Sequence, residues 1–147
     1  MSTNQNNRVY LELSLSQAII DYQRPDTIRN ALVRLTLGVE YPMFYSPVDA
    51  EFLWSHFAKN RESLDNVQKL LSLLSPIYLN AFDDMYVKVQ SLFIAAFPTT
   101  FHIEEPYLPA CAAALAAGAD MLTRIEHFQD FEQLLSGLGS FEVHIVH

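Results

Sequence analysis

Two segments at opposite ends of this 147-residue chain alternate apolar and polar residues, and they restrict the folds open to it. The first runs from Arg8 to Leu15 and the second from Phe141 to Val146. A period of two predicts half-buried β-strands, because successive side chains of a strand point to opposite faces. Since an isolated strand is not stable, each needs a partner. The two strands pair either with each other or across a dimer axis, and the sequence leaves both solutions open.

The residues between these segments carry apolar side chains at helical spacing. Ser46-Pro47 and Ser75-Pro76 each combine a capping serine with a proline suited to the first helical position, so both predict a helix start. Gly118 is expected to interrupt or kink a long alanine-rich helix. We predict helices over residues 17–23, 47–60, 62–74, 76–97 and 110–128, one that follows a capping Asp26 and runs to Leu37, and a last short one over 131–136. Residues 39–47 and 98–109 are predicted to be loops.

These patterns predict a mostly helical α+β fold, in which a bundle of about six helices carries short N- and C-terminal strands. An all-α bundle is the alternative. The length fits one domain, so we expect a disordered lead over residues 1–7 and a single helical domain over 8–147.

The composition of the chain indicates the cellular compartment in which the protein is expected. No apolar run reaches the roughly 18–20 residues that a membrane-spanning helix needs, and the polar N-terminus does not resemble a signal peptide. The single cysteine, Cys111, has no partner for an internal disulfide, which favours a reducing compartment. We therefore expect a cytoplasmic protein.

The acidic charge is concentrated in the second half of the chain. Of the formal net charge of −8, residues 75–147 contribute nine acids against two bases, Lys88 and Arg124. Arg8, Arg24, Arg29 and Arg34 form only a thin basic patch, and direct nucleic-acid binding is disfavoured because it needs clustered Lys and Arg. A basic protein, or a nucleic-acid-binding protein whose site is blocked, is the partner that this charge favours.

The aromatic segment from Tyr41 to Tyr45 ranks highest for function. Tyr41, Met43, Phe44 and Tyr45 are bulky residues in a predicted loop, and such residues are typical of interface cores. The alternative is that the loop folds back as a lid on the helical core. Together with four acids of the second half, they form the predicted partner-binding set: Tyr41, Met43, Phe44, Tyr45, Glu104, Glu105, Glu126 and Asp130.

The histidines and acids of the second half are weak candidates for a metal site. His102 and Glu104, with Glu126, His127 and Asp130, could supply metal ligands, but their spacing matches no metal signature, so no metal is predicted. His144 and His147 are three apart on a predicted strand and so face opposite sides, which makes them a poor metal pair.

Two further groups have ordinary structural explanations. Cys111 lies among alanines, and a packed helix face explains it better than a reactive thiol does. Asp83-Asp84 is better explained as a solvated helix face, with Asp84 and Lys88 paired, than as a pair of acid/base carboxylates.

The sequence therefore predicts a non-catalytic intracellular protein-interaction module of the inhibitor, immunity, chaperone or adaptor type, without a cofactor and forming a homodimer. The alternative is a small-ligand sensor or small enzyme with a pocket in the helical core. That pocket would draw on Trp54, His56, Tyr86, His102 and Cys111.

Overall fold

The computed structural model describes residues 8–21, 28–36, 42–96, 107–139 and 141–146. Within them, one sheet contains five short strands: β1 (Val9–Leu11), β2 (Met43–Tyr45), β3 (Ser75–Pro76), β4 (Asp120–Thr123) and β5 (Val143–Ile145). The strand order is β3-β2-β1-β4-β5, and every neighbouring pair is parallel.

Helices make up most of the described chain, as predicted. Their bounds are α1 (Leu13–Ile20), α2 (Ile28–Leu35), α3 (Pro47–His56), α4 (Arg61–Leu73), α5 (Leu79–Ala96), α6 (Tyr107–Ala117) and α7 (Phe131–Leu134), with a 3₁₀ helix (Glu126–Asp130) before α7. None of these described helices is both long and apolar enough to cross a membrane. The combination of helices and strands is confirmed, but the sheet is more than a pair of terminal strands.

The sheet lies between two helical layers, each with its own core. Val9 and Leu11 of β1 pack into a cluster with α1, α2 and α4, whereas Tyr10 between them packs into a cluster with α5 and α6. Successive strand residues point to opposite faces, so one short strand serves both cores. Because β1 is covered on both faces, all three of its residues are buried.

The first predicted strand is too long and is corrected here. β1 ends at Leu11, and the chain enters α1 at Leu13 with Glu12 as its N-cap. Val9 and Leu11 keep the strand period, whereas Leu15, Ile19 and Ile20 lie in the same core at helical spacing. The predicted start at Ser16 is therefore wrong, because an acidic side chain caps the helix four residues earlier.

Two predictions for the segments that form β2 and β3, at one edge of the sheet, are also wrong. Met43, Phe44 and Tyr45 are not a loop but strand β2, which pairs with β1 and β3. Ser75-Pro76 does not start a helix: it is the edge strand β3, where proline is tolerated because its missing N–H need not join the ladder. The longest described helix, α5, begins at Leu79 instead.

The predicted helix over 110–128 is split into a helix and a strand. α6 ends at Ala117, and Gly118 has a φ of +60°, the left-handed conformation that glycine adopts easily. The N–H of Gly118 donates to the carbonyl of Leu115, and that of Ala119 to the carbonyl of Ala114, at 3.1 and 3.0 Å. These two bonds form a Schellman motif that ends the helix and releases the chain into β4.

The terminal strands do not pair with each other. β4 lies between β1 and β5 and pairs with both, so each of these strands has a partner within the chain. Homodimerisation stays a prediction.

The predicted helix start at Pro47 is confirmed: the Ser46 hydroxyl accepts a hydrogen bond from the Asp49 N–H at 3.1 Å.

Candidate functional site: a polar cluster at the carboxyl ends of the strands

Polar side chains gather where three neighbouring strands end. Glu12 follows β1, Ser46 follows β2, and Thr123 is the last residue of β4. The chain runs from β1 to β2 on one side and reaches β4 on the other, so the order of the strands reverses between β1 and β4. In open parallel sheets, ligands bind outside the carboxyl ends of the strands at such a switch point. These side chains, together with Tyr10 and Asp49 beside them, are here called the polar cluster. Its position makes it the leading candidate for a ligand-binding or catalytic site.

The Glu12 carboxylate closes the junction between β1 and β4. Its Oε2 accepts a hydrogen bond from the Ser14 N–H at 3.0 Å, and its Oε1 accepts from the Thr123 hydroxyl at 2.7 Å and from the Ser14 hydroxyl. The Thr123 Oγ1 in turn accepts from the Ile125 N–H at 3.0 Å. Only 1% of Glu12 is exposed, so this carboxylate is a buried structural acceptor that caps α1.

Asp49 forms the second half of the cluster, in the first turn of α3. Its Oδ2 accepts a hydrogen bond from the hydroxyl of Tyr10, which is fully buried. The pKa of Asp49 is raised from 3.8 to about 7. Burial is the main cause and the nearby Glu12 charge adds to it, whereas hydrogen bonds from Tyr10 and Ser46 oppose the shift. Burial also raises the pKa of Tyr10, with the Asp49 and Glu12 charges adding to the effect.

The polar cluster has the residue types of an acid/base site, but its side chains already form hydrogen bonds within the protein. Tyr10, Glu12, Ser46, Asp49 and Thr123 are all buried, and their hydrogen bonds join β1, β2, β4 and the starts of α1 and α3. A carboxyl whose pKa is near 7 could exchange a proton at neutral pH. It could act on a ligand only if the ligand displaced these internal hydrogen bonds.

The predicted partner-binding set is not one surface in the part of the chain that is described. Met43, Phe44 and Tyr45 are half-buried in β2, with Phe44 against one core and the other two against the opposite core. Glu126 and Asp130 are exposed in the 3₁₀ helix, where the Asp130 carboxylate lies 2.7 Å from His127 Nδ1. Tyr41, Glu104 and Glu105, like His102 and His147 among the metal candidates, lie outside the described residues.

The residues of the alternative core pocket are dispersed. Trp54 and His56 are exposed on α3, where the His56 ring stacks on Phe52 at 5.4 Å. Tyr86 and Cys111 lie on the opposite side of the sheet, in or against the cluster of α5 and α6. Cys111 is buried as expected, and burial raises the pKa of its thiol far above the usual range, with the Glu12 charge as a smaller cause.

An exposed apolar strip, here called the α5 face, runs along α5. It consists of Leu79, Val87 and Ile94, which are 57%, 60% and 57% exposed. Their intervals of eight and seven residues are about two turns each, so the three side chains lie within about a quarter turn of one another, and the exposed Asp83 and Gln90 occupy the intervening turns. Tyr78, which immediately precedes the helix and is 83% exposed, extends the apolar surface at its N-terminal end. The carboxylates of Asp83 and Asp84 lie along the same helix, with Asp84 paired to Lys88 at 3.1 Å, as predicted.

The sequence contains only weak signals for these features. Glu12 sits in an alternating pattern that places it on a solvent face, and Asp49 is an ordinary first-turn acid. The clue for Glu12 is the change from a period of two to helical spacing at Leu13. For the α5 face, the clue is that the apolar residues of this helix nearly encircle it, more than one buried face requires.

No protein-family model and no curated protein matches this chain. Among solved structures, a chain of the crystal structure of VapBC2 from Rickettsia felis bound to a DNA fragment from their promoter is similar, with a TM-score of 0.63 and 16% identity. The alignment covers 92% of this chain and 98% of that chain. At this identity the likeness shows the fold alone: the parallel sheet between helical layers is one that solved proteins adopt.

Proposed function

We propose that this protein is a non-catalytic module that binds a protein partner through the α5 face. The observation that carries the proposal is the exposure of Leu79, Val87 and Ile94 on one side of a helix whose other side is buried in the core. Single exposed apolar residues are ordinary, and three large ones on one side of a helix, interspersed with the exposed Asp83 and Gln90, support an interaction surface. Inhibitor, immunity, chaperone and adaptor roles all use such a surface.

Two further observations support an interaction role. The acid/base groups of the polar cluster are engaged in hydrogen bonds that hold the strand ends together, so a ligand would have to displace those bonds to reach them. The structurally similar VapBC2 chain belongs to a structure described with a promoter DNA fragment, and an assembly of that kind is consistent with a role in macromolecular association. The partner proposed here is a protein rather than DNA, because the net charge of −8 opposes binding to phosphates.

The partner should present apolar side chains flanked by basic ones. Asp83 and Asp84 lie on the same helix as the apolar row, and Glu126 and Asp130 add exposed acids elsewhere. Long-range attraction of this kind speeds association and is screened by salt. Charge reversal of Glu126 and Asp130 together is expected to slow association at low salt, with little change at high salt and no loss of folding.

The test of the α5 face uses a triple variant, Leu79→Gln, Val87→Gln and Ile94→Gln. Glutamine is a good helix former, so α5 should persist while the apolar row is lost. If each residue contributes about 1 kcal/mol to binding, the triple variant should lower partner affinity by about 100-fold. Tagged wild-type and variant proteins would be compared by quantitative capture from the native host.

The matched control is Val33→Gln, an exposed apolar residue on α2, on the other side of the sheet. The proposal expects a stoichiometric partner that is retained by Val33→Gln and lost from the triple variant. It is contradicted if the folded triple variant captures the same partner at the same yield, or if wild type captures none.

A small-ligand or enzymatic role is the second candidate, and the polar cluster is the observation that favours it. Asp49 has a pKa of about 7 and lies at the edge of the sheet where parallel folds place their ligands. Asp49→Asn separates the two candidates: it should leave partner capture unchanged, whereas it would abolish an activity that depends on this carboxyl.

A further inference from the structure

A group of metal-ligating side chains lies away from the polar cluster, at the beginning of β4 and around β5. Asp120 is the first residue of β4, His144 lies in β5, and Glu142 immediately precedes β5. Glu142 and His144 are two residues apart and so point to the same face of the sheet. The register pairs Met121 with Val143, which brings Asp120 beside Glu142 on the adjacent strand. One donor atom from each of the three residues lies within 4.8 Å of the others.

The separations between these donor atoms are long for direct hydrogen bonds and also match the spacing of ligands around a metal ion. The Nε2 atom of His144 lies 3.4 Å from Asp120 Oδ2 and 3.6 Å from Glu142 Oε2. Good N–H···O bonds span about 2.7–3.2 Å. In a tetrahedral zinc site with bonds of about 2.0–2.1 Å, neighbouring ligand atoms are about 3.3–3.4 Å apart. The histidine is therefore spaced from both carboxylates much as two edges of a zinc tetrahedron require.

The carboxylate of Asp120 is held in place by the backbone of the neighbouring strand. Its Oδ1 accepts a hydrogen bond from the Glu142 N–H at 3.0 Å, which directs Oδ2 toward His144. Outer hydrogen bonds of this kind orient metal ligands. The Asp120 side chain is 10% exposed, whereas those of His144 and Glu142 are 48% and 38% exposed, so an ion would enter from solvent.

We propose that Asp120, Glu142 and His144 form a zinc site that fastens β5 to β4. An imidazole with two carboxylates favours a first-row transition ion such as zinc over calcium or magnesium, which prefer all-oxygen sets. Three protein ligands leave a fourth position for water. β5 is the edge strand, and a metal bridge to β4 would supplement the few backbone hydrogen bonds that a three-residue strand makes. This site is independent of the proposed partner surface.

The test is titration calorimetry of the tag-free, chelator-treated protein with zinc chloride at pH 7.5. We expect one zinc ion per chain, no competition from millimolar magnesium, and a rise in the unfolding temperature. His144→Ala and Glu142→Gln should each weaken binding by at least about tenfold, because even the loss of an outer hydrogen-bond partner of a metal ligand costs about 10–100-fold in affinity. Both residues are partly exposed, so the variants should fold, which circular dichroism checks.

The control is His127→Ala. His127 forms a pair with the single carboxylate of Asp130, has similar exposure, and lies outside the three-ligand group. Retention of zinc binding in this variant, with loss in His144→Ala, supports the site. The proposal is overturned if the wild-type protein binds no zinc under these conditions, or if His144→Ala binds it as tightly as wild type.

Discussion

Replacing Asp49 by Asn should make the protein more stable at neutral pH. The pKa of this carboxyl is about 7 in the folded protein, against 3.8 for the unfolded reference, and burial is the main cause. A raised pKa means that the folded state holds the proton more tightly than the unfolded state does. The stabilisation is complete below pH 3.8 and is lost as the pH rises through 7.

The size of this effect follows from the shift. Each pKa unit is worth about 1.4 kcal/mol, so the free energy of unfolding should fall by about 4 kcal/mol between pH 3 and pH 7 because of this group alone. Asn keeps an oxygen that can accept the Tyr10 hydroxyl hydrogen bond and carries no charge. The variant should therefore lack this part of the pH dependence and exceed wild type in stability near pH 7.

Urea unfolding followed by circular dichroism at pH values from 4 to 8 measures the difference directly. Asp83→Asn is the control, because this carboxyl is exposed on α5 and its loss should leave the profile unchanged. The reasoning is refuted if the wild-type and Asp49→Asn profiles run parallel across this range, or if the Asn variant is less stable than wild type at pH 7.

Three further changes test other parts of the fold. Glu12→Gln turns an acceptor into a partial donor facing the Ser14 and Thr123 donors, so it should cost about 1–3 kcal/mol in urea unfolding; a change below about 0.5 kcal/mol would contradict the capping role. Gly118→Ala should cost about 1–2 kcal/mol, because its φ of +60° strains any residue with a Cβ, and an unchanged thermal midpoint would argue against the Schellman ending of α6. Cys111 should react with a thiol reagent slowly in the native protein and quickly after denaturation, because it is buried and its pKa is raised; equal rates would contradict its burial.

Helices were easier to predict than strands, although local start signals were not sufficient. The cap and proline at Ser46-Pro47 begin α3 as predicted, and helical spacing placed α4 within one residue of its bounds, whereas the same cap-and-proline pattern at Ser75-Pro76 is strand β3. α6 shows the limit of such signals. Gly118 could kink a helix or end it, and its local sequence does not distinguish these outcomes; in the structure the Schellman bonds from Gly118 to Leu115 and from Ala119 to Ala114 end the helix.

The sheet was much less predictable than the helices. β4 consists of four consecutive buried residues, Asp120 to Thr123, and β3 of only two, so neither shows the alternation that identifies a strand. Strands covered on both faces lose that alternation because every position is inside. Their presence depends on packing between helical layers, which the local sequence does not specify.

The polar cluster was unpredictable for the same reason. Glu12, Asp49 and Thr123 are separated by 37 to 111 positions, and only the parallel order of β2, β1 and β4 brings them to one edge. The aromatic segment was predicted to be a partner surface because the sequence shows its large side chains but no pattern that predicts strand β2. The strand assignment corrects the predicted loop and places Phe44 and Tyr45 partly buried against the two cores, while the predicted partner-binding role of the segment stays a prediction.

The most direct test of the proposed function is photocrosslinking from the α5 face in the native host. A photoreactive amino acid would replace Val87, and in a matched strain it would replace Val48, which is similarly apolar and 44% exposed on α3. The account predicts one dominant protein adduct from position 87, identified by mass spectrometry, and no such adduct from position 48. Absence of an adduct at position 87, or the same set of adducts from both positions, would contradict the assignment of α5 as the partner-binding surface.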